Sequence, residues 1–156
     1  SIDQREYVLW KYRILKNLVI NGPHYQAVNR SLRFRTVSHP ILTEFQNKFY
    51  QNKTKVLPTN IDQYLKNPFV VAVWFMDDGN LILKKGKPAG LHLNSHSFSR
   101  NENEILASLL SSHFGLRVSV EKNHSKYRLR IERDSYVLFY DLIDQYLIDS
   151  MKYKLG

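Results

Sequence analysis

Apolar residues recur at helical spacing near the start of the chain. Val8, Leu9, Tyr12, Leu15 and Val19 predict an amphipathic helix over 2–20, stopped by Asn21-Gly22-Pro23. Strict alternation then takes over: Leu32 and Phe34 point one way and Arg33 and Arg35 the other, the pattern of a half-buried strand. Helical spacing returns over 40–50 through Ile41, Phe45 and Phe49, and a polar connector over 51–66 contains Pro58. Asn67-Pro68 opens a helix expected over 68–78, with proline near its first position and Gly79 closing it. Two strands, 80–85 and 91–98, are expected to turn through 86–90. A helix over 101–114 should turn Ile105, Leu106, Leu109 and Leu110 inward, with Gly115 just past its end. A second hairpin over 117–133 turns near Asn123-His124, a last helix covers 135–146, and a short basic tail runs over 151–156. From Pro68 the order is helix, strand, strand, helix, strand, strand, helix, an α+β arrangement with an antiparallel sheet.

The segment before Pro68 matches the later part of this unit. A shift of 97 positions places Leu32, Arg33 and Phe34 on Leu129, Arg130 and Ile131, Ser38 on Ser135, Phe45 on Leu142 and Phe49 on Tyr146. The organisation expected is a partial first repeat over 1–66 and a complete second repeat over 67–156. Any twin of Asp78 would fall about 19 positions before Ser1 by the same shift. No secretory or transit segment precedes the first element, and an opening on Ser1 fits a start that has been lost.

Charge narrows the partners. Lys and Arg number 23 against 14 Asp and Glu, a net charge of +9 and a pI near 9.7, which suits a polyanion and nucleic acid above all. The absence of cysteine excludes disulfides and thiolate metal sites and suits an intracellular protein, in the cytoplasm or an organelle matrix. No apolar run approaches the ~20 residues of a membrane span.

The chemistry concentrates where Val71-Ala72-Val73-Trp74-Phe75-Met76 runs into Asp77-Asp78-Gly79. Carboxylates at a helix C-terminus oppose the helix dipole, so their presence points to a need outside the helix. A hard divalent cation such as Mg²⁺, which takes oxygen ligands, is the simplest candidate.

This stretch resembles the signature nonapeptide of the LAGLIDADG homing endonucleases, in the variant ending Trp-Phe-Met-Asp-Asp-Gly. Lys55-Val56-Leu57-Pro58 is similar to the family's Lys-x-Ile-Pro segment, Leu93-Asn94-Ser95-His96-Ser97-Phe98 to its Leu-x-Thr-Gln-Ser-Phe strand, and Met151-Lys152-Tyr153-Lys154-Leu155 to its terminal Met-x-Tyr-Lys-Leu. These segments fall in the family's order and together span about residues 5 to 155. The resemblance implies an αββαββα unit, usually in two pseudo-symmetric copies whose motif helices pack together, with Val70 and Trp74 on the packing face here. It implies site-specific, metal-dependent cleavage of double-stranded DNA, with Mg²⁺ or another divalent cation between the last Asp of each motif and the scissile phosphates. Asp78 is then the metal ligand, with Asp77 auxiliary and Gly79 letting the backbone leave the helix beside its partner. Lys55 and Lys154 align with basic residues that the family places beside the cleavage centre, where a cation could stabilise phosphorane charge.

The strands are the candidate DNA-reading surface. Lys126, Arg128 and Arg130 alternate with Tyr127, Leu129 and Ile131, while His92, Asn94 and His96 form another outward set. Lys84, Lys85 and Lys87 lie around the first turn, and Arg33 and Arg35 occupy the same place in the earlier repeat. Arg and Asn read guanine and adenine edges in the major groove, whereas lysines more often meet phosphates. His92 and His96 are four apart on a strand, about 13 Å, too far for one zinc ion. Only one motif is present, so either the first copy was removed, a second chain supplies it, or the protein binds without cutting. An apolar face of the motif helix, with Val70, Trp74 and Met76 on it, favours self-association or pairing with a fragment that carries the first motif. The rival functions are an intron RNA maturase and a non-cleaving DNA-binding regulator on the same fold.

Overall fold

The computed structural model describes residues 4–28 and 30–156. The chain forms two compact units, one built from the chain up to Asn47 with Ile148–Met151, the other from Lys48–Leu147 with Lys152–Gly156.

The first unit holds α1 (Arg5–Ile14), the antiparallel pair β1 (His24–Gln26) and β2 (Ser31–Arg33), and most of α2 (Pro40–Phe49). The helix expected over 2–20 is shorter. Its expected start at Ile2 lies outside the described residues, and after Ile14 the chain tightens into a 3₁₀ turn at Lys16–Leu18. The Leu18 carbonyl there accepts from Val37 N at 2.8 Å instead of continuing a helix. Tyr7 is buried and stacks on Trp10 with ring centroids 5.6 Å apart, and Tyr12 meets Phe34 edge-on at 5.7 Å.

The second unit begins with a short hairpin, β3 (Tyr50–Gln51) and β4 (Thr54–Lys55), and a helix, α3 (Ile61–Leu65). Apart from Tyr50, which lies at the end of the expected helical stretch, both fall inside the expected polar connector. Asn52 and Lys53 have φ of 48° and 67°, and two left-handed residues are what a two-residue hairpin turn requires. Then come α4 (Pro68–Asp78), β5 (Gly79–Lys84), β6 (Lys87–Leu93), α5 (Arg100–Phe114), β7 (Val118–Asn123), β8 (Lys126–Glu132) and α6 (Tyr136–Ile143). This is the expected αββαββα order. The four strands form one antiparallel sheet in the spatial order β5-β6-β8-β7.

Register separates the two sides of the sheet. Leu81, Leu91, Ile131 and Val118 stand opposite one another across the four strands, and Leu93, Leu129 and Val120 make the next row. Directly opposed residues share a face, so these rows form the apolar side; Leu91, Leu93, Leu129 and Ile131 are fully buried in the core. Phe75 of α4 and Phe139 of α6 join that core edge to face, 5.4 Å apart. The opposite side carries Asn80, His92, Arg130 and Ser119 in one row.

Two details differ from the sequence expectation. The first hairpin turns at Lys85-Gly86 (φ 52° and 73°), not over 86–90, and Pro88 and Ala89 lie within β6. In α5, Ile105 is exposed, and Asn103, Leu106, Ala107 and Leu110 form the buried stripe. Burying Asn103 is tolerable because its amide is satisfied: Nδ2 donates to Phe98 O at 3.1 Å and Ser99 O at 2.9 Å, and Oδ1 accepts from Ser95 Oγ.

Ser99 and Glu102 form a capping box on α5, and Glu102 Oε1 also accepts from Leu57 N at 2.8 Å. Desolvation alone would raise the Glu102 pKa, but hydrogen bonds from Ser99 and Leu57 hold it below the ordinary carboxylate value. A depressed folded-state pKa stabilises above the unfolded value, and that contribution disappears as pH falls through the folded value. Glu102→Gln is therefore expected to cost about 1 kcal/mol at neutral pH. Urea unfolding of the two proteins should give converging midpoints as the pH drops through the acid range.

Candidate functional site

The motif helix starts cleanly. Asn67 caps it by accepting from Phe69 N at 3.0 Å, and Pro68 occupies the first turn, where no N–H is needed. Val71, Ala72, Phe75 and Met76 bury one side. Val70, Val73 and Trp74 remain half-buried on the other, in line with exposed Asp77. Met76, expected on that second side, is fully buried instead because it shares the helical stripe of Ala72.

Gly79 ends the helix in an extended conformation, φ −86° and ψ 157°, so the glycine is not required by a left-handed backbone. It is required by space: a Cβ there would collide with the Phe75 ring and lie 2.6 Å from the Phe75 carbonyl oxygen. The close approach that Gly79 permits is to its own helix.

Asp77 and Asp78 are both exposed at this end. The repulsion between carboxylates and helix dipole is offset by Lys154, whose ammonium donates to Met76 O at 2.6 Å, Asp77 O at 3.0 Å and Phe75 O at 3.5 Å. Lys154 thus lies at the end of the motif helix, bound to backbone carbonyls. Lys154→Met is expected to lower stability by about 1–2 kcal/mol by leaving those carbonyls without a cation. Equal unfolding midpoints for parent and variant would contradict the capping role.

The Asp78 carbonyl accepts twice from Asn94, from Nδ2 at 2.7 Å and from the backbone N at 3.2 Å. Asn94 Nδ2 also reaches Asn80 Oδ1 at 3.3 Å, and the Asn94 carbonyl accepts from Trp74 Nε1 at 3.3 Å. Lys55 lies on β4 with its ammonium 5.2 Å from the Phe98 ring centroid. Among the described residues no hydrogen bond or ion pair joins Lys55 to Asp78.

These atoms limit how much of a cation site the chain carries. The carbonyl oxygens of residues 75–78 are engaged by Lys154 and Asn94, which leaves carboxylate as the hard ligand. Among the described residues no group of three or more His, Asp or Glu comes together to hold a metal ion. The donor chemistry of Asp78 suits Mg²⁺, but this helix end supplies only part of an octahedral shell. A cation held there would need further oxygen ligands from outside this helix end.

The polar side of the sheet begins beside Asp78. Asn80 Nδ2 lies 3.4 Å from His92 Nδ1, His92 Nε2 lies 2.7 Å from Glu121 Oε2, and Arg128 Nε donates to that same oxygen at 3.2 Å. One network therefore crosses all four strands. Burial first, then the positive charge of Arg128, pushes the His92 pKa below its ordinary value, so the ring is neutral at neutral pH. Nε2–H then donates to Glu121 while Nδ1 accepts from Asn80. Desolvation raises the Glu121 pKa, but the bonds from His92 and Arg128 outweigh it and keep the carboxylate ionised. Arg130 donates through Nη2 to Ala89 O at 3.1 Å, and its Nε lies 3.3 Å from Glu132 Oε2 without hydrogen-bond alignment. His96 Nε2 accepts from Asn123 Nδ2 at 2.9 Å.

A bulge shapes the hairpin tip. Ile82 pairs with Gly90 and Leu83 with Pro88, which leaves Ala89 as an extra residue in β6. Gly90 has φ 134°, and a Cβ there would lie 2.6 Å from Ile131 O, so glycine is needed. Beyond the bulge Lys84 pairs with Lys87, which puts both on the side of Asn80 and His92.

The structure thus gathers His92, Asn94, Lys126, Arg128 and Arg130 on one side of the sheet, with exposed Lys84, Lys85 and Lys87 at its tip. Of these, His92 is almost wholly buried, more a support than a surface contact. Arg33 and Arg35 belong to the first unit: Arg33 pairs with His24 in the hairpin, and exposed Arg35 lies beyond β2. Sequence reasoning missed Asn80, Glu121 and Glu132. The signal for Glu121 is the alternation through the second hairpin, which sets it on the face of Arg128.

Comparisons with known proteins agree with this geometry. A family model described as the LAGLIDADG DNA endonuclease family matches residues 1–139. The chain is 32% identical over 166 residues to the cytochrome b mRNA maturase bI2 of Debaryomyces hansenii, covering 99% of this chain and 61% of that protein. It is 31% identical to the probable intron-encoded endonuclease 1 of Wickerhamomyces canadensis, covering 97% of this chain and 69% of that one. A solved structure of the homing endonuclease I-WcaI bound to its DNA recognition sequence superposes with a TM-score of 0.84 at 30% identity, covering 97% of this chain and 71% of that one. This chain is thus shorter than each of these relatives.

Proposed function

The chain belongs to the LAGLIDADG DNA endonuclease family, and from that premise we propose that it binds a specific double-stranded DNA site and takes part in divalent-cation-dependent phosphodiester hydrolysis. The observation that carries this reading is the exposed Asp78 carboxylate at the end of an apolar helix, fixed through its backbone to a polar, arginine-bearing sheet.

Each residue has a task. Asp78 would hold Mg²⁺, with Asp77 beside it and Gly79 setting the exit of the chain. The cation, when bound, supplies positive charge to the scissile phosphate. Lys154 neutralises the helix end so that two carboxylates can sit there, and Asn94 fixes the backbone from which Asp78 projects. Lys55 is the cation proposed to face the phosphate during reaction. Arg128 and Arg130 present guanidinium donors to base edges, and Lys84, Lys85, Lys87 and Lys126 meet phosphates. Arg33 and Arg35 would serve the same purpose in a partial first repeat over 1–66, with the complete repeat over 67–156. The half-buried stripe of Val70 and Trp74 is proposed to pack against a second motif helix, contributed by an upstream segment, a second copy or a separate fragment. An intracellular setting fits this activity.

A second reading has its own support, because a relative 32% identical is named a cytochrome b mRNA maturase. A protein of that kind would act on intron RNA and need no cleavage. Incubating the chain with a randomised duplex library and Mg²⁺, with and without an added first-motif segment, separates the readings. Recovery of one cut sequence supports the endonuclease, recovery of bound but uncut sequence supports a regulator, and no recovery of duplex excludes both.

A further inference from the structure

We propose that Glu121 is a specificity-determining residue that acts with Arg128 to read one G·C base pair. This rests on the DNA-binding reading above and deepens it.

A carboxylate in the middle of a basic surface opposes binding to any phosphate backbone, so affinity alone does not account for it. Glu121 and Arg128 are directly opposed on β7 and β8, on the polar side of the sheet. Their side chains are 36% and 21% exposed, so both are reachable and neither is loosely solvated. The Glu121 carboxylate uses one oxygen for both its partners: Oε2 accepts from His92 Nε2 at 2.7 Å and from Arg128 Nε at 3.2 Å. Its other oxygen stays without a hydrogen-bond partner among the described residues, and so do the two terminal nitrogens of Arg128.

That arrangement has two consequences. Tethering Arg128 through Nε holds the guanidinium plane while its outer fork remains open, and such a fork matches guanine O6 and N7. The remaining Glu121 oxygen is an acceptor beside it, and cytosine N4 is the donor that the major groove offers on the same base pair. His92, nearly buried and held from behind by Asn80, braces the carboxylate so that it cannot swing away. The three bonds thus convert one acid and one base into a preset donor-acceptor pattern. Glu121 also repels phosphate, so it penalises docking in which Arg128 meets the backbone instead of a base.

The experiment is selection of bound duplexes from a randomised library in Ca²⁺, with the parent chain, Glu121→Gln and Arg128→Ala. The parent is expected to enrich G·C at one position. Both variants should lose about tenfold in preference at that same position. Glu121→Gln should hold or gain affinity for unrelated duplex, because a negative charge has gone, whereas Arg128→Ala should lose it. Should Glu121→Gln melt well below the parent, Arg128→Ala and Arg128→Lys carry the same positional test. A parent that enriches a sequence while both variants keep every base preference overturns the inference and leaves DNA binding intact. A parent that retains no duplex at any salt concentration overturns the proposed function, and the inference with it.

Discussion

Asp78→Asn is expected to bind duplex DNA at least as tightly as the parent and to lose Mg²⁺-dependent nicking by at least roughly a thousandfold. Asparagine keeps the shape of the side chain but not the charge, and a neutral amide is a poor partner for a hard cation. Nothing in the fold should notice the change. The Asp78 side chain is exposed and makes no bond among the described residues, and the bonds that fix the residue run from its carbonyl to Asn94. Affinity should hold or rise, because the carboxylate repels phosphate when no cation is present. Plasmid nicking followed over time, beside duplex binding without metal, measures both quantities. Nicking that survives in Asp78→Asn would move the chemistry elsewhere. If the chain serves instead as an RNA maturase, the same substitution should leave its support of splicing unchanged.

Gly79→Ala should be among the most damaging single-methyl changes in the second unit. The added carbon meets the Phe75 ring and the Phe75 carbonyl, and Phe75 is held against Phe139 in a fully buried core. The helix end has no room to relax without moving either that core or the start of β5. A loss of about 3 kcal/mol is expected, at the upper end for overpacking. Gly86→Ala supplies the contrast. Gly86 has φ 73° but open space around it, so only the conformational term applies, about 1 kcal/mol. Urea midpoints of the two variants should differ clearly, and Gly79→Ala should also lose nicking because Asp78 moves with its neighbour. Similar midpoints would mean that crowding at Gly79 is relieved cheaply.

The parts of this molecule legible in its sequence are those encoded locally. The apolar run into Asp77-Asp78-Gly79 specified both the motif helix and its end, and Gly115 does close α5 in a left-handed conformation. Alternation through 126–132 separated Arg128 and Arg130 from Leu129 and Ile131, and the register keeps that separation. Features set by long-range contacts stayed hidden. Nothing near Lys154 in sequence announces that its ammonium will bind carbonyls 77 to 79 residues earlier. The burial of Asn103 is not encoded locally, because its partners, Ser95 and Phe98, are brought to it by the turn before α5. The short hairpin at Tyr50–Lys55 went unread because its strands are only two residues each, too brief for any period to show.

The extra residue at Ala89 has a consequence for how this family of surfaces can vary. Pairing Ala89 into the ladder without the bulge would set Leu83 against Ala89 and send Lys87 behind the sheet while Lys84 stayed in front. Lengthening the two arms past that point by whole pairs of residues would keep both groups forward and extend the finger by about 6–7 Å each time. Variation in the length of this finger should therefore come in even increments in each arm, with the one odd residue of β6 already taken up by the bulge beside Gly90.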